Sequence, residues 1–207
     1  MIAPQGGVTR SRRRTGRYTM SDVIRIAGIA GSLRKGSYNK SALRAALKLV
    51  PKGSALDILD LEGIPGFNED HEQSFPAHVR EFKARVKSAD ALLIVTPEYN
   101  YSVPGVLKNA IDWASRPYGD SAWNAKPVAI MGASVGTVGT ARAQYHLRQM
   151  FVFLNMFPLN QPEVMIANAS EKFDEQGNLT DAKTEQKIKE LLEALVIWTT
   201  QLRKARA

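Results

Sequence analysis

The run Ala91 to Thr96, Ala-Leu-Leu-Ile-Val-Thr, is apolar on both parities, so as a strand it has no face suited to water. It belongs in the middle of a sheet covered on both faces, and the rest of the chain supplies the cover. Val23 to Ala30 has the same buried-strand character. The amphipathic stretch Lys40 to Val50 follows it, with Leu43, Ala46, Leu47 and Val50 at helical spacing until Pro51. Ala55 to Leu61 alternates as a strand, and a Gly/Pro/Asn/Asp loop runs from Gly63 to Gln73. Ser74 and Pro76 then open a helix lined by Val79, Phe82 and Val86 up to Ser88.

Beyond the loop Pro97 to Val103, Leu107, Ala110, Ile111 and Ala114 mark the next helix, with Pro104 tolerated in its first turn. Val128 to Gly132 is a fourth strand. The Ser/Gly loop Ala133 to Gly139 leads into a long helix whose apolar face is Ala143, Leu147, Met150, Phe151 and Leu154, ended by Pro158 and Pro162. Glu163 to Ala167 reads as a fifth strand. Phe173 to Leu179 reads as a small hairpin or excursion turning at Gln176-Gly177-Asn178. The last helix starts at Thr180-Asp181 and is expected to bury Ile188, Leu191, Leu195 and Leu202. Five strands alternating with five helices specify a parallel α/β sheet with right-handed crossovers. Such a sheet binds its ligand beyond the strand carboxyl ends, at the switch point in strand order, where Gly31–Asn39, Pro97–Val103 and Ala133–Gly139 converge.

Gly31–Asn39 has the form of a phosphate loop. A turn from a parallel strand into a helix presents free N–H groups and the positive end of the helix dipole. Ser32, Ser37 and Asn39 add short donors, and Arg34 adds a forked cation. The competing reading is an ordinary turn with Ser37 or Asn39 as helix cap. No Gly-Lys-Ser/Thr closes the loop and no three-glycine dinucleotide fingerprint is present, which favours a mononucleotide. The Pro97–Val103 loop packs Glu98, Tyr99, Asn100 and Tyr101 together. Exposed tyrosines could form a subunit contact. A flat heteroaromatic ring explains more: the amides of Glu98, Tyr99 and Asn100 would meet its polar edge and the tyrosines would wall it.

Composition removes several chemistries. With no cysteine, disulfides, zinc–thiolate sites and thiol nucleophiles are excluded, and three histidines without ligand spacing argue against a metal site. No apolar run approaches the roughly 20 residues of a membrane helix, so a cytoplasmic protein without membrane association is expected. The net charge of +8 suggests nucleic acid, but five arginines (Arg10, Arg12, Arg13, Arg14, Arg17) lie in an acid-free stretch of 19 residues, and without them the balance is +3. Met20-Ser-Asp has the form of a natural start. Residues 1–19 are then expected to be a disordered basic extension, with a transit peptide or nucleic-acid tether as alternatives, and residues 20–207 one domain.

Gly-Ser-Leu-Arg-x-x-Ser-x-Asn from Gly31, with Thr-Pro-Glu-Tyr-Asn-x-Ser-x-Pro-Gly-x-Leu-Lys-Asn-x-Ile-Asp-Trp from Thr96 to Trp113, closely resembles the NADPH-dependent FMN reductase family. The resemblance covers Val23 to about Arg203. It implies a flavodoxin-like three-layer sandwich, a five-stranded parallel sheet of order 2-1-3-4-5, bound FMN, and NADPH or NADH as co-substrate. By family pattern Ser32, Arg34, Ser37, Tyr38 and Asn39 hold the FMN phosphate and ribityl. Glu98, Tyr99, Asn100 and Tyr101 border the isoalloxazine, and Ser134 lies on the third loop. The implied activity passes electrons from a nicotinamide through FMN to quinones, chromate or other small acceptors in a ping-pong cycle, with no catalytic side chain and Glu98 structural. A flavodoxin-type electron carrier is the alternative. The family's habit of forming dimers and tetramers makes Tyr101, Arg142, Tyr145 and Glu163 candidate subunit contacts, with Trp113 adding to the aromatic surface.

Overall fold

The computed structural model describes residues 23–206; the expectations for residues 1–19 lie outside the described residues. Strand parity sorts the chain into three layers. The strands β1 (Ile24–Ala30), β2 (Ser54–Leu59), β3 (Ala91–Val95) and β4 (Pro127–Ala133) are parallel, in the order β2-β1-β3-β4. Ala91, Leu93 and Val95 face the helices α1 (Tyr38–Lys48) and α5 (Ala182–Arg206). Leu92 and Ile94 face α2 (Ala77–Ser88), α3 (Gly105–Ala114) and α4 (Ala141–Phe153). Every residue of β3 is buried, as its unbroken apolar run requires. The α1 crossover lies on one face and that of α3 on the other, so the loops after β1 and β3 diverge and leave a crevice at the switch point.

The fifth sheet position is divided. Phe157–Pro158 (β5) pairs with the start of β4 and Val164–Ile166 (β6) with its end. The excursion between them is held by Arg148, which donates to the Leu159 carbonyl (3.1 Å) and to Asn160 Oδ1 (3.2 Å). The sequence pattern alone places the strand at Glu163–Ala167 and makes Pro158 only a helix stop. An edge strand tolerates proline, and Phe157 N–H and Leu159 N–H still reach sheet-side carbonyls at 2.9 and 2.8 Å.

Three packing expectations are corrected. Leu47 is exposed, because α1 buries the Asn39, Ala42, Leu43 and Ala46 stripe one step round the helix. Leu202 is half-buried near the end of α5, and Leu192 fills the core instead. Trp113 offers no assembly surface. Its ring is wholly buried edge-on to Phe67 and Phe75, and its indole N–H donates to the Pro65 carbonyl at 2.8 Å. The excursion after β6 closes as expected, with Phe173 bridging Leu179 and Gly177 at positive φ.

Candidate functional site

The three loops meet because their first residues are locked together. Gly31 N–H donates to the Val95 carbonyl at 2.9 Å, and a Cβ on Gly31 would stand only 3.0 Å from Leu107 of α3. Gly132 admits Thr96 O and Thr140 Oγ1 at 2.2 and 2.0 Å from where its own Cβ would be, so any side chain there would drive β4 away from the β3 loop. Asn39 makes the third tie. Its amide donates to the Ala133 carbonyl (2.8 Å) while its Oδ1 accepts from Ala133 N–H (2.9 Å), pinning the start of α1 to the end of β4.

Above this base the β1–α1 loop keeps its donors unspent. From Ser32 to Tyr38 no backbone N–H has an acceptor among the described residues. Ser37 caps α1, its Oγ accepting from Asn39 N–H (3.2 Å) and Lys40 N–H (3.4 Å), so the capping reading and the anion reading hold together: an acceptor Oγ can still donate its proton outward. Ser32 is buried within the loop. Arg34 is exposed, its guanidinium folded back to 4.0 Å from the Cβ position of Gly36. A run of N–H groups without an acceptor at a helix N-terminus, with an exposed forked cation on the same loop, fits a phosphate. Lys40 was missed in the sequence. In the first turn of α1, it reaches back to the Leu33 carbonyl at 3.4 Å and adds a second cation, a placement that its spacing of three from Ser37 could have signalled.

Two of the expected site residues also serve the scaffold. Asn39, expected as a phosphate donor, has its side chain committed to Ala133, since the link between the start of α1 and the end of β4, 94 residues apart, takes both edges of the amide. Tyr38 lays its ring on Phe173 at 5.6 Å, leaving its N–H and phenol tip rather than its face for a ligand. Ser134 is half-buried on the third loop, and its Oγ accepts from Gly136 N–H at 3.1 Å.

In the β3–α3 loop Tyr99 and Ser102 exchange both backbone hydrogen bonds at 2.9 Å, making a tight hairpin with Asn100 and Tyr101 at its tip. Tyr99 N–H is therefore spent. This corrects the expectation that it meets a ring edge; the N–H groups of Glu98 and Asn100 have no acceptor among the described residues. The Tyr99 and Tyr101 side chains are both exposed. Glu98 has the partners that the sequence did not reveal. Its carboxylate, 5% exposed, accepts from Arg142 N–H (3.0 Å) and Ala143 N–H (3.2 Å) at the start of α4 and pairs with the Arg142 guanidinium. It thus caps the dipole of α4, with its carboxylate spent on that helix. Arg142 also covers Tyr101 at 3.7 Å. Within its own chain the guanidinium is thus held between Glu98 and Tyr101 while staying 40% exposed.

Concavities of about 300 Å³ beside Tyr118 and Phe153 and about 380 Å³ between Arg44 and Gly177 lie away from these loops. A phosphate gripped by backbone amides and a ring laid on a hairpin need an open shelf rather than an enclosed hole. Among the described residues no cluster of three metal-ligating side chains occurs, and no helix is long and apolar enough to cross a membrane.

With this geometry in place, comparison decides the family. The NADPH-dependent FMN reductase profile matches residues 24–171. The chain belongs to that family. It is 55% identical over 185 residues to an NAD(P)H-dependent FMN reductase of Pseudomonas aeruginosa, covering 89% of this chain and 100% of that one. It is 43% identical over 180 residues to a 2-hydroxy-1,4-benzoquinone reductase of a Burkholderia species, covering 87% and 98%. Among solved structures, the flavoenzyme NAD(P)H:(acceptor) oxidoreductase FerB of Paracoccus denitrificans superposes with a TM-score of 0.79 at 36% identity, covering 86% of this chain and 98% of that one.

Proposed function

We propose that this member of the NADPH-dependent FMN reductase family takes electrons from NADPH or NADH and delivers them to quinones, and to other small acceptors such as chromate, in a ping-pong cycle. The protein is an NAD(P)H-dependent FMN oxidoreductase, as its family and relatives are named. The observation that carries the finer reading is the run of unspent N–H groups from Ser32 to Tyr38, on the loop next to a hairpin that exposes two tyrosines. FMN, when bound, supplies the hydride chemistry.

The chain's own residues bind and orient. Ser32, Ser37 and the loop amides cradle the phosphate, Arg34 and Lys40 neutralise it, and Tyr99, Asn100, Tyr101 and Ser134 border the ring. Asn39 and Glu98 hold those loops in place. With Glu98 committed to α4, no side chain is assigned a proton-transfer role. Nicotinamide and acceptor would share one open shelf and therefore alternate on it. Residues 20–207 form the catalytic domain, residues 1–19 a basic extension, and the setting is cytoplasmic.

A homotetramer is the proposed assembly. The outer side of α4 and its surroundings expose Tyr145, Val152, Phe153 and Tyr118 at 54%, 82%, 77% and 72%, more apolar surface than a solvated helix carries. Tyr101, Arg142, Tyr145 and Glu163 would meet the neighbouring subunit near the flavin. Sedimentation at micromolar concentration checks this, and a monomer would defeat it.

The function is tested by mixing the yellow protein with NADPH or NADH without oxygen, then adding a quinone, chromate or an azo dye. Rapid bleaching by a nicotinamide and recolouring by a quinone is the expected result. Protein that stays yellow would make it an electron carrier instead.

A further inference from the structure

Asn100 and Tyr101 both adopt left-handed backbone, at φ 50° and 66°, although neither is glycine. Asparagine tolerates this region; for tyrosine it disfavours the turn by roughly 5- to 30-fold. A hairpin closed by one pair of residues is marginal in water, so its surroundings have to hold such a turn. The holder is α4, which touches the hairpin at three points. Glu98 caps its first turn, Arg142 covers the Tyr101 ring, and His146, one turn further along, meets Ser102 with 2.9 Å between Nδ1 and Oγ.

The third contact has no part in the chemistry described above. Ser102 is the residue whose N–H and C=O close the hairpin on Tyr99, so anchoring its side chain fixes both ends of the strained turn to the helix. A serine hydroxyl donates or accepts, and the contact therefore persists whichever imidazole nitrogen carries the proton. We propose that Ser102 and His146 form a latch that keeps the hairpin in its ring-binding conformation, making His146 a positioning residue for the cofactor. The proposal rests on the reading that the flavin ring lies on this hairpin. Loosening the latch lowers the fraction of molecules competent to bind, and apparent affinity falls by that same fraction.

The test titrates full-length protein, stripped of cofactor, with FMN and follows amide hydrogen exchange. Ser102→Ala and His146→Ala should each weaken FMN binding by about 3- to 10-fold, the scale of one net hydrogen bond acting through the population. Exchange should quicken across residues 98–103 and stay unchanged in Leu92–Val95. The double variant should bind within about twofold of the weaker single variant, since the two side chains make one contact. His146→Asn, whose side-chain amide can sit where Nδ1 does, should recover part of the affinity. Unchanged affinity and exchange in both single variants would overturn the latch, as would fully additive losses. Wild-type protein that binds no FMN would remove the ring-site reading itself, an outcome distinct from both.

Discussion

Two clusters in this molecule are assembled from the same parts, an arginine, aromatic rings and carboxylates, and they do opposite things. Around Arg116 the guanidinium, 17% exposed, bridges Glu69 at 2.9 Å and Glu72 at 3.4 Å and lies over Phe67 and Tyr118 at 5.6 and 4.1 Å. Lys83, buried beneath it, donates to the Arg116 carbonyl and to Asp120 at 2.7 Å. The loop before α2 is thereby nailed to α3, with Phe67 N–H on Asn109 Oδ1 at 2.7 Å and the Pro65 carbonyl taken by Asn109 and Trp113. Around Arg142 the guanidinium is 40% exposed, its Nε is buried without an acceptor, and the ring it covers, Tyr101, is 68% exposed. On the hairpin beside it the N–H groups of Glu98 and Asn100 have no acceptor among the described residues. Each cluster holds one buried side-chain atom without a hydrogen bond, Glu72 Oε1 and Arg142 Nε, so the contrast lies in the loops beside them: the brace spends its loop N–H and carbonyl groups on α3, whereas the shelf is stiffened from behind and leaves its front unspent.

If that distinction holds, damage to the brace should appear as stability and damage to the shelf as affinity. Arg116→Ala leaves Glu72, 18% exposed, without its cation. It should cost about 2–4 kcal/mol, lowering Tm by roughly 5–15 °C, with FMN affinity within about twofold of wild type. A large affinity loss in the variant that stays folded would mean the two regions are coupled. Arg34→Ala is the mirror image. FMN retention should weaken by about 1.5–3 kcal/mol, roughly 10- to 150-fold, while Tm of the cofactor-free protein moves by no more than about 2 °C. Equal affinity in that variant would place the phosphate elsewhere.

Glu98→Gln sharpens the comparison from behind the shelf. A glutamine oxygen can still accept from the first N–H groups of α4, so flavin reduction should keep at least about a tenth of its rate, against the 10²–10⁴-fold that an acid–base group contributes. Stopped-flow reduction by NADPH measures it, and a thousandfold loss with FMN still bound would give the carboxylate a chemical role. The smallest effect belongs to the rim of the brace. Hydrogen bonds from Lys83, then Lys87, hold the Asp120 carboxyl below its usual value of 3.8. A depressed acid stabilises the fold above its unfolded pKa and loses that contribution as pH falls through the folded value, so the window lies below about pH 4. Because Asp120 is 51% exposed, screening keeps the effect under about 1 kcal/mol. Urea midpoints between about pH 4 and pH 2 should fall more steeply for wild type than for Asp120→Asn. Parallel curves would show that the lysines do not hold it.

The parity of Ala91–Val95, the helical spacing of Leu107, Ala110 and Ile111 and the turn signals between elements sufficed to derive a parallel sheet covered on two faces, because inside and outside are written in neighbouring residues. The three site loops followed from the same pattern, since the end of a parallel strand at a switch point is a topological position rather than a contact. Partners distant in the chain were another matter. Whether Glu98 faces a ring or a helix depends on α4, 44 residues away, and whether Asn39 serves a ligand or a strand end depends on Ala133, 94 residues away. Phe157 pairs as a strand only because the edge of β4 passes beside it, and Trp113 is buried only because the Pro65–Phe75 segment folds over it. Residue type states what a side chain can bond to; tertiary structure decides which partner reaches it first, and a polar group satisfied inside the fold is no longer available to a ligand.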